Sequence, residues 1–543
     1  MHTTDTKKRS AKNLFFSGVI VLTVANILVK SVGLISKIAL NRVVGSIGAG
    51  YYSSAYEIYA FLYVISTAGL PVAISIMVSK SIASGKIKEA NKIFDTSFIV
   101  FMTMGLALSG LMIAFSGALA EFIGAPETKL CIITIAPTVF FICISSCIRG
   151  YFQGFQLMGP TAISQFIEAL GKVGIGIGCA LYAKSKGFPD YTVAAYTVIG
   201  VTAGVFLGMV YLYIRKIRFK EAEYLPDIAL STDLRKSRQI VKEMLTIGIP
   251  VTVSSTVLSL TTVLDTVMIQ PRLLKGGLDP VMTKICYGDY TSLVISMFNL
   301  PTILLYPIAN ALVPLISGAV AGGNEERKEK IRSFSIRIIA IIALPCAVGM
   351  SVFSAPILNL LMFKQDSVDR AAPWLSVAAI SVVFLGVIAV TNAFLNSAEK
   401  QNLPIISMIC GALVKLIANS LLIERVGIIG APIATVLCYI AASSINIFFV
   451  IKHVGKLPDI FGVFIRPFIC TVFSVGSSAV FYMCISQLIN VKACTLLSIG
   501  LAVVLYAVFI LKSRTVTEEE IMLFPYGVKI KRMLEKLKII GNR

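Results

Sequence analysis

Charge is scarce in this sequence. Only 14% of its 543 residues are Asp, Glu, Lys or Arg, while 56% are hydrophobic. A soluble domain carries about 25% charged and about 45–50% apolar residues, so a soluble globular protein with one ordinary core is excluded. Histidine is scarcer still, confined to His2 and His453, which leaves too few donors for a Ser-His-Asp arrangement or a histidine-built metal centre. Cys143 and Cys147 share a helix face without a histidine nearby to complete a zinc shell. The glycine-rich stretch Gly171–Gly178 places Lys172 among its first residues instead of before a Ser or Thr, so no nucleotide-cradling loop is expected. These absences predict no enzyme, no metal and no cofactor.

Acidic residues are the rarer sign of charge: 28 Asp+Glu face 49 Lys+Arg, a net charge of +21. Most of the basic residues fall in short segments between apolar runs, so the excess reads as membrane topology instead of a nucleic-acid partner. The 11 cysteines are scattered through apolar stretches and read as small buried hydrophobes.

What the chain does have is long apolar runs. A bilayer core of about 30 Å needs about 20 apolar residues per helix. Fourteen runs qualify, at 14–43, 55–82, 94–118, 129–151, 161–183, 191–214, 244–269, 286–318, 333–361, 372–396, 403–423, 427–451, 461–486 and 493–512. Lys and Arg concentrate in alternate loops: Lys7 to Lys12, Lys80 to Lys92, Arg215 to Lys242, Arg327 to Arg332, and the tail after Lys512. That asymmetry predicts a multi-pass protein of the cytoplasmic (plasma) membrane with both termini cytoplasmic. The tail carries Ile530, Met533, Leu534 and Leu537 on one helical face and lysines around the other, a pattern suited to an anionic membrane surface.

The fold class expected is therefore all-α and polytopic. The segments are a tail over 1–13, a first six-helix lobe over 14–214, a charged linker over 215–243, a second six-helix lobe over 244–451, two extra helices over 461–512 and a basic amphipathic tail over 513–543. The two lobes share a plan. Pro71 near the end of a span answers to Pro314, and Pro160 followed by Lys172 answers to Pro404 followed by Lys415. Repeated six-span units suggest a transporter with a central cavity between two bundles. Gly200, Gly204 and Gly208 recur every four residues and mark a face for close helix packing.

Ionisable residues inside spans are costly and are functional candidates by default. The first lobe holds Lys30 and Lys37, seven apart on one face, with Glu57, Arg149, Glu168 and Lys172. Glu168 and Lys172, four apart, are positioned for an internal ion pair or for a ligand. Two lysines on one buried face repel each other unless an anion or an acid such as Glu57 lies between them. In the second lobe stand Asp265 and Lys415, with Asn310, Asn392, Asn396 and Asn419. A membrane-depth cavity this cationic suits an anion, and a lipid-linked diphosphate is a membrane-resident anion large enough to need such a transporter.

Lys30 through Gly45, then Gly69-Leu70-Pro71-Val72-Ala73-Ile74-Ser75, then Arg149-Gly150-Tyr151-Phe152-Gln153-Gly154 followed by Pro160 and Ser164, resemble the stage V sporulation protein B branch of the polysaccharide-transport (MOP) flippase family. That branch is related to MurJ-type lipid II flippases and more distantly to MATE exporters. The resemblance implies fourteen spans in two lobes and alternating access. It also implies flipping of an undecaprenyl-diphosphate-linked sugar for wall synthesis, with wall-synthesis proteins as partners. Lys30 stands where such flippases carry a first-span arginine, and Ser36 where they carry another. The substrate-binding set expected is Lys30, Lys37, Arg149, Lys172, Glu57 and Glu168. Some relatives hold sodium in the second lobe, and Asp265, Asn419 and Thr435 are the nearest residues here for a coupling-ion site. Sodium, protons or the membrane potential are the candidate drives. The alternatives are a MATE-like multidrug or cation exporter, expected to carry carboxylates in place of these lysines, and an assembly factor that recruits wall synthases.

Overall fold

Inside a bilayer the backbone has no water to bond, so a chain this apolar must satisfy its N–H and C=O groups within helices or a closed barrel. In the computed structural model, which describes residues 2–84, 86–219, 235–306, 308–309, 312, 316, 325–361, 364–398, 400–455 and 460–513, the secondary structure of the described residues is helical throughout. Among them, ten helical runs are long and apolar enough to cross a membrane. Two of these, Ala39–Ile82 and Leu403–His453, are 44 and 51 residues long. The 513–543 tail beyond Ser513, most of the 215–243 linker and Asn310 lie outside the described residues.

The chain divides into two compact units, Met1–Ser292 and Leu293–Arg543. The first begins with α1 (His2–Thr67), which is broken at Gly45. At φ 75° and ψ 177°, Gly45 occupies a region open essentially to glycine alone. One glycine supplies the whole turn, so the helix resumes at once where the sequence suggested a loop over 44–54. A second break at Ala68–Gly69 precedes α2 (Leu70–Ala83), with Pro71 in its opening turn where no N–H is needed. Gly69 passes against α8 (Ser237–Lys275): a Cβ there would stand 2.0 Å from the Gly248 carbonyl oxygen.

After α3 (Ile87–Ala114) and the short α4 (Ser116–Phe122) come α5 (Lys129–Gly154), α6 (Gly159–Ser185) and α7 (Asp190–Ile217). Gly171 on α6 meets Gly204 on α7 so closely that a Cβ on Gly171 would come within 2.4 Å of the Gly204 Cα. Gly200 meets Gly176 in the same way. The four-residue glycine spacing therefore serves packing, as expected of small residues between membrane helices. The core of this bundle is built by Tyr52, Ala55, Ile132, Ile135, Val139, Val198 and their neighbours. The unit closes with α8 and α9 (Pro280–Asp289), where Asp279 caps α9 by accepting from the N–H groups of Val281 and Met282.

Leu293 opens the second unit, within a π-helical turn that leads into α10 (Ile295–Phe298). Next, α11 (Glu325–Val352) breaks at Phe353 before α12 (Ser354–Leu360), just as α3 breaks at Phe115 before α4. Both pairs are 28 and 7 residues long with a Phe-Ser junction, a structural repeat hidden within unbroken apolar sequence. α13 (Gln365–Ser397), α14 (Leu403–Val426) and α15 (Gly430–His453) follow, then α16 (Ile460–Ile485) and α17 (Val491–Lys512). Tyr506 on α17 donates its hydroxyl to the Ile341 carbonyl at 2.8 Å, and Ser474, Ser478, Thr495 and Ser498 are buried in the last two helices. Large apolar side chains face outward, among them Phe473, Met483 and Val503, as a lipid-facing surface requires.

Candidate substrate-binding site

Two sequence motifs turn out to be one packed assembly. Arg149 to Gly154 form the end of α5, and Gly69 to Ser75 lead into α2. Gly150 lies against α2, where a Cβ would come 2.7 Å from the Pro71 carbonyl oxygen, and Gly154 lies against Val78. Tyr151 donates to Asn91 Oδ1 at 2.9 Å and is capped by the Lys216 ammonium, 4.2 Å from its ring centre. Phe94, Phe152, Phe155 and Phe219 surround Tyr151. A further ion-paired knot joins α3 to α8: Arg235, just before α8, pairs with the buried Glu89 of α3 and with Glu243 of α8.

Within this motif Arg149 points the other way. It is buried, its guanidinium pairs with Glu168 on α6, and its Nε donates to Ser164 Oγ at 3.0 Å. Ser164 in turn donates to the Thr161 carbonyl at 2.8 Å, so its oxygen is oriented to accept from Arg149. Glu168 is 14% exposed at its side chain. On its other side stands Gly208 of α7, where a Cβ would come 2.8 Å from Glu168 Cγ and 3.0 Å from Oε1. The glycine at 208 leaves the room that the glutamate fills.

One helical turn along α6, Lys172 does not take Glu168 as its counter-ion. Its ammonium lies over Tyr56, 4.1 Å from the ring centre, and 5.9 Å from that of Tyr52. A cation over an aromatic face is held by the ring quadrupole, by about 2 kcal/mol or more when desolvated. The internal Glu168–Lys172 ion pair considered from spacing is thus replaced by an interhelical pair and a cation–π contact. Tyr52, Tyr56, Tyr59 and Tyr63 continue as a ladder along α1, with successive ring centres 5.7, 5.7 and 5.9 Å apart. The sequence reading missed this ladder, although tyrosines at i, i+4, i+7 and i+11 share one helical face and could have disclosed it.

Of the expected binding set, the first unit brings together Arg149, Glu168 and Lys172. Glu57 stands half-buried on α1 beside Tyr56. Lys30 and Lys37 belong to α1, but their side chains lie outside the described residues. The residues considered for a coupling ion fall in different units: Asp265 is buried on α8 of the first, while Asn419 on α14 and Thr435 on α15 are buried in the second. Thr435 donates its hydroxyl to the Ala431 carbonyl at 3.1 Å. Lys415 is buried one turn before Asn419. Elsewhere in that unit Asn446 donates to Asn392 Oδ1 at 2.7 Å and to Thr391 Oγ1 at 3.1 Å.

Chemically, the first unit offers an anion two cations, one fork-shaped and one a point charge, beside a carboxylate and a row of aromatic rings. Comparison with known proteins gives this geometry a context. The family model for polysaccharide biosynthesis proteins matches residues 15–320, and the MatE model matches 291–421. Stage V sporulation protein B of Bacillus subtilis (strain 168) is 25% identical over 433 residues, covering 78% of this chain and 81% of that one. Lipid II flippase MurJ of the same organism is 24% identical over 455 residues, covering 81% of this chain and 82% of that one. Among solved structures, lipid II flippase MurJ in an inward closed conformation aligns with a TM-score of 0.66 at 15% identity, covering 90% of this chain and 98% of that one.

Proposed function

This chain belongs to the polysaccharide biosynthesis protein family, and from that premise we propose that it is a flippase for an undecaprenyl-diphosphate-linked wall precursor or polysaccharide unit. The substrate is lipid II-like and crosses the cytoplasmic membrane by alternating access between two lobes. The protein moves its substrate without changing a covalent bond. Both termini face the cytoplasm, and the relatives named for sporulation and for lipid II flipping favour a role in wall assembly.

The observation that carries this reading is the gathering of two cations within the first unit, Arg149 paired with Glu168 and Lys172 one turn further along α6 over Tyr56. Two cations held in a low-dielectric interior require an anionic partner, and a diphosphate diester supplies two negative charges. A cation exporter would need the opposite sign at this place, so the match to the MatE model over 291–421 reflects shared architecture. Lys30 and Lys37 are further ligands in this proposal, and Glu57 sets their charge. Outward movement of two negative charges gains about 4.6 kcal/mol at an inside-negative potential of about 100 mV, at about 2.3 kcal/mol per charge. Within the second unit Asn419 and Thr435 are the residues proposed for a coupling ion; transport indifferent to sodium would remove that assignment alone.

Native mass spectrometry tests the binding step. The intact protein is expected to retain a diphosphate-lipid adduct, and Lys172→Ala to lose most of it, because an uncompensated charge contact is worth about 2–5 kcal/mol. Equal adducts in both proteins would show that the lipid binds elsewhere.

A further inference from the structure

Arg149 is already occupied. Its guanidinium pairs with Glu168, and Ser164 accepts from its Nε at 3.0 Å, so a diphosphate can take this arginine only by displacing the carboxylate. The surroundings crowd the displaced carboxylate. α7 presents Gly208 directly against its side chain, and the Gly204–Gly171 contact holds the two helices together. α5 presents Arg149; α1 presents the hydroxyls of Tyr56, Tyr59 and Tyr63, all three within electrostatic reach of Glu168, and Glu57 beside Tyr56. On α6 itself the neighbouring charge is Lys172, held over Tyr56.

Counting formal charges over Arg149, Lys172, Glu168 and Glu57, which stands beside the Tyr56 ring under Lys172, gives zero for the empty site. A diphosphate diester would bring it to −2, with the Glu168 carboxylate beside phosphate oxygens in a largely buried place. Like charges so close disfavour ionisation, and one proton halves the excess. We propose that Glu168 is a proton-binding site linked to substrate: when a lipid-linked diphosphate engages Arg149 and Lys172, one proton from solution adds to a carboxylate oxygen of Glu168, and release of the lipid returns it. This rests on the flippase reading and adds a consequence to it. Lipid and proton together then carry one net negative charge instead of the lipid's two, so the membrane potential acts on one charge per cycle instead of two.

The test is a proton count. Undecaprenyl-diphospho-N-acetylglucosamine is the probe, because each of its phosphates carries one ester and one anhydride linkage and keeps a single strongly acidic hydroxyl that does not titrate near neutral pH. Its binding to the full-length protein in nanodiscs is followed by calorimetry at pH 7 in two buffers of different ionisation enthalpy. Uptake of close to one proton per lipid is expected, with affinity falling by up to tenfold per pH unit as pH rises, since a complex that holds the extra proton is disfavoured when protons are scarce. Glu168→Gln is expected to bind with a proton count near zero and no such slope. Binding by the wild-type protein without proton uptake overturns the assignment and leaves the flippase reading standing. The same proton count in Glu168→Gln also overturns it, and the wild-type count decides even if that variant fails to fold. Failure of the wild-type protein to bind the probe overturns both.

Discussion

Arg149→Ala is expected to cost about 3 kcal/mol of stability, at the lower end of the range for breaking a buried ion pair. The loss comes less from the missing attraction than from what remains. Glu168 would lose its guanidinium partner while packed against Gly208 with 14% of its side chain exposed, and Ser164 would lose the Nε–H that its oxygen accepts. The residual exposure and the Lys172 ammonium one turn away soften the penalty, which is why the lower end applies. The measurement is the temperature at which half of the purified protein remains monodisperse, and a fall of several degrees is the expected result. An unchanged midpoint would mean that the pair contributes nothing to holding α5 on α6.

The double replacement Arg149→Met with Glu168→Leu separates folding from function. Exchanging both members of a buried pair for apolar groups of similar size is often neutral or stabilising, because two desolvation penalties disappear together. The double variant should therefore regain most of the stability lost by Arg149→Ala. Its affinity for a diphosphate lipid should still fall by about thirtyfold to several thousandfold, the equivalent of about 2–5 kcal/mol for a truncated charge contact. Recovered stability with undiminished binding would assign the pair to architecture and leave Lys172 and the first-helix lysines as the candidate ligands.

These effects depend on a pairing that local sequence could not disclose. Glu168 and Lys172 are four apart on one helix, so spacing makes them each other's nearest option. The choice of Arg149 instead is tertiary: Gly204 and Gly208 let α7 seat α6 closely, and Tyr56 on α1 offers Lys172 a ring face. Charge inside an apolar run was readable because burial of a lone charge is expensive wherever it occurs, and this alone singled out Arg149, Glu168 and Lys172. The tyrosine ladder escaped notice because Tyr56, Tyr59 and Tyr63 sit in a run whose apolarity already explained them, while Tyr52 falls in the gap before it.

The fold was legible to a similar depth. Runs of about 20 apolar residues betray spans whatever their packing, hence the membrane-crossing helices and their recurrence in two halves. Breaks inside spans were not legible, since Phe115 and Phe353 interrupt helices without interrupting hydrophobicity. Gly45 fell in the gap between two predicted spans, and the sequence did not show that this single residue with positive φ makes the whole turn between two long helices. Conversely, the contact of Gly150 with Pro71 shows why two motifs far apart in sequence both carry small or imino residues: each lets the other's backbone approach.

Carriage of a lipid-linked diphosphate across the membrane on Arg149 and Lys172 is the proposed activity of this protein. The direct measurement is flipping itself, in proteoliposomes holding a fluorescent undecaprenyl-diphosphate-linked sugar, with inside-negative potential imposed and a membrane-impermeant quencher added outside. Protein-dependent outward movement is expected, accelerated by the potential and suppressed by Lys172→Ala and by the Arg149→Met, Glu168→Leu double variant. Movement no faster than in protein-free vesicles, together with export of organic cations by the same proteoliposomes, would contradict it.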